Sequence, residues 1–133
     1  MRLPRGYRNR NPGNIKHFPG NDWHGQSGVD SGGFVIFDND ADGIDAIGEI
    51  IDSKKRRGLL SIRDIIADYA PHSENDVGAY IDTVTQKTGW PMSYVPVREE
   101  GDYVALVQAI IKQENGYSIY SDSFVANSLS RPT

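Results

Sequence analysis

The sequence predicts an α+β domain, mostly helical, with a small β region at its N-terminal end. Two observations carry that expectation. Residues 1–40 are rich in Gly, Asn, Asp and aromatics and read as loops and short strands, whereas beyond residue 40 apolar residues recur at helical spacing. No internal repeat, low-complexity stretch or linker interrupts the 133 residues, so a single domain is expected, with the β region over 5–40 and a helical bundle over 41–129.

Within the β region, Asn11-Pro12-Gly13-Asn14 is a turn signal, because Pro pre-sets one φ and Gly supplies a positive one. Phe34-Val35-Ile36-Phe37, bounded by Gly32-Gly33 and Asp38-Asn39-Asp40, reads as a short strand, with residues 22–26 as its hairpin partner. Ile44, Ile47 and Ile51 share one face of a first long helix over 40–57, which Gly58 closes and which Asp38 or the Asp-Asn-Asp turn opens. Ser61 with Asp64 resembles a capping box for a second helix, whose stripe is Ile62, Ile65, Ile66 and Tyr69 and whose stop is Ala70-Pro71. Ser73 and Asp76 open a third, with Val77, Tyr80, Ile81 and Val84 inward, ended by Thr88-Gly89. A loop with Trp90, Pro91 and Pro96 leads to a fourth helix over 102–114, burying Tyr103, Leu106, Val107 and Ile110, and residues 122–129 form one more short helix.

Composition excludes several function classes. Charged residues are 24% and hydrophobic ones 38%, an ordinary globular balance. No apolar run approaches the roughly 18 residues of a membrane span, so no membrane insertion is expected. The basic start Met1-Arg2-Leu3-Pro4-Arg5 is followed by no apolar stretch, which argues against a secretory signal. With no cysteine, disulfides and thiolate metal sites drop out, and His17, His24 and His72 lack ligand spacing, so neither metal nor cofactor is expected. A net charge of −4 argues against nucleic acid, which needs a concentrated basic face. The run Lys54-Lys55-Arg56-Arg57 complements the negative end of its helix. Arg2, Arg5, Arg8 and Arg10, interleaved with Tyr7, form either a solvated arm or a contact for an anionic polymer.

One carboxylate stands out. Glu114 falls where the fourth helix runs out into Gly116. There it faces the negative end of the helix dipole, which disfavours its ionised form, and the apolar residues before it predict partial burial, which acts in the same direction. A glycosidase needs such a group, able to hold a proton near neutral pH and deliver it to a leaving glycosidic oxygen. Many helices also end in a solvated Glu, so the feature alone does not define a site.

The surrounding residues add to it. Ala109-Ile110-Ile111-Lys112-Gln113-Glu114-Asn115-Gly116-Tyr117 resembles the helix followed by Gln-Glu-Ser-Gly-aromatic that marks lytic transglycosylases and related lysozyme-superfamily enzymes, in which that Glu is the single catalytic acid. Asn115 replaces the usual Ser. In that family the Asn-Pro turn and small β region follow the Glu. Here an equivalent stands at the chain start, as Arg8-Asn9-Arg10-Asn11-Pro12-Gly13-Asn14-Ile15, an arrangement that looks like a circular permutation. A second resemblance spans residues 5–117. The order Arg-Asn-x-Asn-Pro-Gly-Asn-Ile, Trp-x-Gly, Gly-Phe-x-x-Phe, Asp42-Gly43-Ile44-x-Ala46, Tyr69-Ala70-Pro71, Glu74-Asn75-Asp76 and Ala79-Tyr80-Ile81 is similar to small phage and prophage proteins often labelled virion proteins or endolysins. Together these resemblances imply a lysozyme-like fold and a peptidoglycan substrate.

Carried over residue by residue, Glu114 matches the catalytic acid. Tyr69 stands where transglycosylases carry the Tyr of Tyr-Asn-Ala-Gly, without the Asn, and Tyr80 resembles the aromatic of their later Tyr-Val pair; core packing accounts for either tyrosine equally well. Asn11 and Asn14 either bond the N-acetyl groups of the substrate or shape their own turn. Glu74, Asn75 and Asp76 reach the cleft or cap the third helix. Trp23, beside Asp22 and His24, is a sugar-stacking platform or a core residue, and Asn115, adjoining the acid, is a further substrate-binding candidate. Asp22, Asp30 and Asp38 are the candidates for a second carboxylate, which a hydrolase needs and a transglycosylase does not.

The resemblance therefore implies a monomeric enzyme that cuts between N-acetylmuramic acid and N-acetylglucosamine, as a muramidase or a lytic transglycosylase. It would be made in the host cytoplasm and reach the wall with a pore-forming holin, or arrive with other virion proteins in the particle. The competing expectation is a non-catalytic virion component or wall-binding module of the same fold, supported by Asn115 and by the absent Asn after Tyr69. A nucleic-acid-binding regulator finds no basic recognition helix.

Overall fold

The structure is a computed structural model, and it describes residues 2–73 and 75–130, apart from the side chain of Ser73. Glu74 lies outside the described residues. The chain forms a short helix α1 (Arg5–Arg8), a hairpin of β1 (Gln26–Val29) and β2 (Val35–Phe37), and then α2 (Asp40–Arg56), α3 (Ile62–Tyr69), α4 (Val77–Thr88), α5 (Asp102–Asn115) and α6 (Asp122–Leu129). Turns of 3-10 helix cover Ala70–Ser73 and Arg98–Glu100. This is the α+β class with its β region at the N-terminal end.

Helix starts follow local chemistry closely. The side chains of Asn39, Ser61, Asp76 and Ser121 accept the backbone N–H of Asp42, Asp64, Ala79 and Phe124 at the starts of α2, α3, α4 and α6. Asn39, not the exposed Asp38, is thus the cap of α2. Gly89 and Gly116 end α4 and α5 in the left-handed conformation. Two elements had no clear signal in the sequence. Pro4 leads directly into α1, with no side-chain cap, and the hairpin partner of β2 is β1, not residues 22–26, which overlap it only at Gln26.

β1 and β2 pair antiparallel, Gln26 with Phe37 and Val29 with Val35, with a bulge between Gln26 and Gly28. The N-terminal segment flanks the free edge of β2. The N–H of Val35 donates to Ile15 O at 2.9 Å, and that of Phe37 to Asn9 O at 2.9 Å. One apolar core runs through the whole chain, from Tyr7, Ile15, Val35 and Phe37 to Ile47, Ile66, Tyr80, Leu106, Ile110 and Leu129. α5 lies at its centre and packs against α1, α2, α4 and α6. α2 and α6 approach closely at Gly48, where an added Cβ would stand 2.7 Å from Leu129 Cδ2.

Polar residues inside this frame join elements. Arg98 pairs with Asp52 on α2 and donates to Leu129 O at the end of α6, and Tyr103 on α5 donates to Asp52 at 2.8 Å. The basic run at the end of α2 does more than complement a dipole. Lys54, only 5% exposed, bonds Asp68 on α3, Arg57 bonds the same carboxylate oxygen at 2.9 Å, and Lys55 donates to Pro96 O. Of the arginines near the N-terminus, Arg5 lies over the Phe34 ring and Arg8 donates to Leu3 O. Among the described residues no helix is long and apolar enough to cross a membrane.

Candidate functional site

The Asn-Pro-Gly-Asn turn and the C-terminal end of α5, a hundred residues apart in sequence, are brought into contact. Asn11 makes the turn. It is fully buried, its Nδ2 donates to Ile15 O and Val35 O at 3.0 and 2.9 Å, and its Oδ1 accepts the Ile15 N–H at 3.0 Å. Its amide thus acts as a short piece of backbone between the turn and β2. Gly13 is required for contact rather than for φ: a Cβ there would stand 2.4 Å from the Tyr69 hydroxyl and 2.8 Å from Ile47. Tyr69 uses that proximity, donating to Gly13 O at 2.6 Å. On the other side Asn115, also buried, donates to Pro12 O at 2.8 Å and to Ile111 O at 2.9 Å, so the last residue of α5 grips the turn.

With the turn so held, Asn14 adopts φ 48°, a left-handed conformation that Asn tolerates better than most residues. Its Nδ2 then donates to Glu114 Oε1 at 3.0 Å. Asn75, just ahead of α4, places its Nδ2 3.2 Å from each carboxylate oxygen, and the Tyr80 hydroxyl donates to Oε2 at 2.8 Å. Glu114 is therefore half-buried and held by donors from the turn, from the segment before α4 and from α4 itself. Burial raises the Tyr80 hydroxyl well above the usual phenol range, and the negative charge of Glu114 adds to that. A phenol raised above its ordinary value is protonated at neutral pH, so Tyr80 donates to the carboxylate there. Burial, with Glu114 second, does the same to Tyr69.

Of the residues singled out in the sequence, Asn14, Asn75, Tyr80 and Glu114 form one constellation. Asn11, Tyr69 and Asn115 do not carry free polar atoms into it. Asn11 is fully enclosed with its amide committed to the backbone, so it shapes the turn and does not serve as a substrate ligand, and Asn115 is 7% exposed with its Nδ2 spent on Pro12 O and Ile111 O. Of the two roles open to Asn11 the structure supports the turn and corrects the substrate ligand, since nothing in the sequence distinguishes an Asn that replaces backbone from one that points outward. Tyr69 is 5% exposed and spends its hydroxyl on Gly13. Trp23 is partly buried and lines two concavities, one with Asn14 and one with Asp42 and Asp45.

The second-carboxylate candidates are placed as follows. Asp30 caps the hairpin loop, accepting from Gly32 N, Phe34 N and Asn9 Nδ2; partial desolvation raises its pKa, but these bonds outweigh it and hold the group below the ordinary carboxylate value. Asp22 lines the hollow with Asp42 and Asp45, and Asp38 is exposed at the foot of α2. Among the described residues there is no cluster of His, Cys, Asp and Glu able to hold a metal ion.

A groove of about 240 Å³ beside the Asn14 turn, lined by Lys54, Arg57 and Asp68 as well as by Asn14 and Tyr69, has no signal in the sequence. The basic run was visible, but the carboxylate that turns it inward lies on α3, fourteen residues from Lys54, with no motif to connect them.

Fold and site together define a small α+β protein whose central helix ends in a carboxylate clamped by two amides and a phenol. No protein-family model matches the sequence. Over 121 residues it is 39% identical to Protein P5 of Pseudoalteromonas phage PM2, an alignment covering 88% of this chain and 74% of the phage protein. The chain belongs to the family of that phage protein.

Proposed function

We propose that the protein cleaves the glycan strand of peptidoglycan between N-acetylmuramic acid and N-acetylglucosamine, with Glu114 as general acid on a circularly permuted lysozyme-like fold. The observation that carries this reading is the meeting of the Asn-Pro-Gly-Asn turn with the end of α5, where Asn14, Asn75 and Tyr80 converge on Glu114. The resemblance of residues 109–117 to the transglycosylase signature and a phage relative support it.

In this mechanism protonated Glu114 gives its proton to the glycosidic oxygen as the C1–O bond breaks, and the sugar passes through an oxocarbenium-like state. The resulting carboxylate accepts a proton from the group that attacks C1. With the sugar's own 6-hydroxyl the product is a 1,6-anhydro sugar and Glu114 is restored; with water it is a reducing sugar, a route that calls on a second carboxylate besides Glu114. Donors aimed at a carboxylate favour its charged form, whereas the helix end favours the neutral one. A sugar that takes over the Asn75 amide would remove one such donor and shift the balance toward the acid. As an endolysin the protein would need a holin; as a virion protein it would enter with the particle.

A non-catalytic wall-binding virion component is the second reading, favoured by the internal commitment of Asn11, Tyr69 and Asn115. Turbidity of outer-membrane-permeabilised cells separates the two. The enzyme reading predicts lysis by wild type and a loss of about 100- to 10,000-fold in rate for Glu114→Gln. Equal lysis by the two proteins, or none by either, overturns it.

A further inference from the structure

Asn115 stands where the transglycosylase signature has Ser, directly after the acid. Its Nδ2 is shared between two carbonyls: Ile111 O at 2.9 Å, one turn back on α5, and Pro12 O at 2.8 Å, 103 residues earlier in the chain. The residue is 7% exposed, and its Oδ1 lies against α1, where a Cβ added to Gly6 would stand 2.3 Å away. One side chain thus ties the acid's own helix to the turn and fits against a third element. The tie bears on Glu114, because two residues beyond Pro12 the Nδ2 of Asn14 reaches both Glu114 Oε1 at 3.0 Å and Glu114 O at 3.4 Å. No short loop joins the turn to the helix end, so their register depends on such side-chain bonds. A serine would supply one hydroxyl donor in place of two N–H groups. On a helix that hydroxyl commonly turns back to the carbonyl four residues earlier. Here that is Ile111 O, and the buried carbonyl of Pro12 would lose its donor.

We infer that Asn115 is a positioning residue for the acid, acting through the turn and Asn14, and that serine in its place serves the reaction less well. The inference rests on the glycan-cleaving reading, and it makes the departure from the signature part of the site instead of a sign of lost activity. Asn14 is a donor to the carboxylate, and donors favour its charged form. Loosening the turn therefore favours the protonated form. The phenols that feel the charge of Glu114, Tyr69 and Tyr80, are kept neutral by burial, so a changed titration of Glu114 follows the amides around it.

The Glu114 carboxyl is titrated by heteronuclear NMR in wild type, Asn115→Ser, Asn14→Gly and the double variant, and release of soluble glycan fragments is measured across pH on the same proteins. NMR reads the folded protein, so lost stability alone leaves the midpoint in place, and glycine at position 14 tolerates the positive φ. Asn115→Ser should raise the midpoint about as far as Asn14→Gly does, and the double variant no further. Its kcat should fall about 10- to 100-fold, with the alkaline limb of the pH–rate profile moving up. Gly6→Ala, which keeps every hydrogen-bonding group and crowds Asn115 Oδ1, should raise the midpoint as well. A midpoint unmoved in folded Asn115→Ser, or in Gly6→Ala where that variant does not fold, overturns the inference. So does a shift that adds in full to that of Asn14→Gly, or cleavage by Asn115→Ser as fast as by wild type. Midpoints that move as expected in a protein whose wild type releases no fragments overturn the glycan-cleaving reading itself and leave the tie between Asn115 and the turn in place.

Discussion

Glu114 owes its surroundings to short-range constraints elsewhere. Asn14 reaches it because its backbone is held at a positive φ, and that conformation is held by Tyr69 on Gly13 and Asn115 on Pro12. Tyr80 reaches it from a buried position on α4, with a hydroxyl that burial keeps protonated. Removing that hydroxyl takes away a donor to the charged carboxylate, so the charged form becomes less favourable. For a general acid, activity falls as pH rises and the group deprotonates. Tyr80→Phe should therefore move the alkaline limb of the pH–rate profile upward; a limb that stays in place or moves down would contradict the role given to Glu114. The glutamate itself was legible from its helix end and flanking residues, and Tyr80 from the resemblance. The committed amides of Asn11 and Asn115 were not, because their partners are backbone groups that leave no mark in side-chain pattern.

At the scale of elements, two joints hold the site. The first is the turn against β2, made by Asn11. Asn11→Ala would strand the N–H of Ile15 and the carbonyl of Val35 in the interior, while Ile15 O keeps the Val35 N–H, at a cost of about 3 kcal/mol. Urea denaturation should show the midpoint falling by about 1 M or more; an unchanged midpoint would mean the turn is held by other means. The second joint is α2 to α3, through Lys54 and Asp68. The two partners respond differently. Burial lowers the pKa of Lys54 despite its pairing, while the Lys54 hydrogen bond holds the more exposed Asp68 below 3.8. The pair thus acts chiefly by sparing Lys54 a lone burial, rather than by a large net gain. Because the folded Asp68 value is depressed, its contribution is present above about pH 4 and is lost as pH falls through the lower folded value. The urea midpoint of wild type should fall over that acid range, and Asp68→Asn should lack this part of the fall; identical profiles would remove Asp68 from the account. The helix starts at Ser61 and Asp76 and the stops at Gly89 and Gly116 were readable, since capping is local. The register of β1 was not, because Gln26-Ser27-Gly28-Val29 has no strong alternation and its pairing is fixed by β2 and a bulge.

Over the whole molecule, residues from the two ends of the chain make one site. Tyr7, near the start, donates to Tyr117 O and accepts the Ile119 N–H beyond the end of α5. Gln108 in turn holds Tyr120 O and Asp122 at the entrance to α6. The sequence suggested this closure only through two fragments in an unusual order, an Asn-Pro turn at the start and a Glu-Asn-Gly helix end near the finish. Periodicity could not have supplied it, since contacts between residues 14 and 114 depend on the packing of every element between them. The groove with Lys54, Arg57 and Asp68 was hidden for the same reason: its walls come from α2, α3 and the N-terminal segment, and no one segment reads as a site.

On the proposed reading this closure makes a glycan-cleaving acid of Glu114. Mass spectrometry of peptidoglycan incubated with wild type and with Glu114→Gln tests it most directly. Wild type should release muropeptides cut between N-acetylmuramic acid and N-acetylglucosamine, as reducing or 1,6-anhydro ends that differ by one water, and Glu114→Gln should release almost none. Peptidoglycan left intact by the wild type, or the same fragments from both proteins, would contradict it.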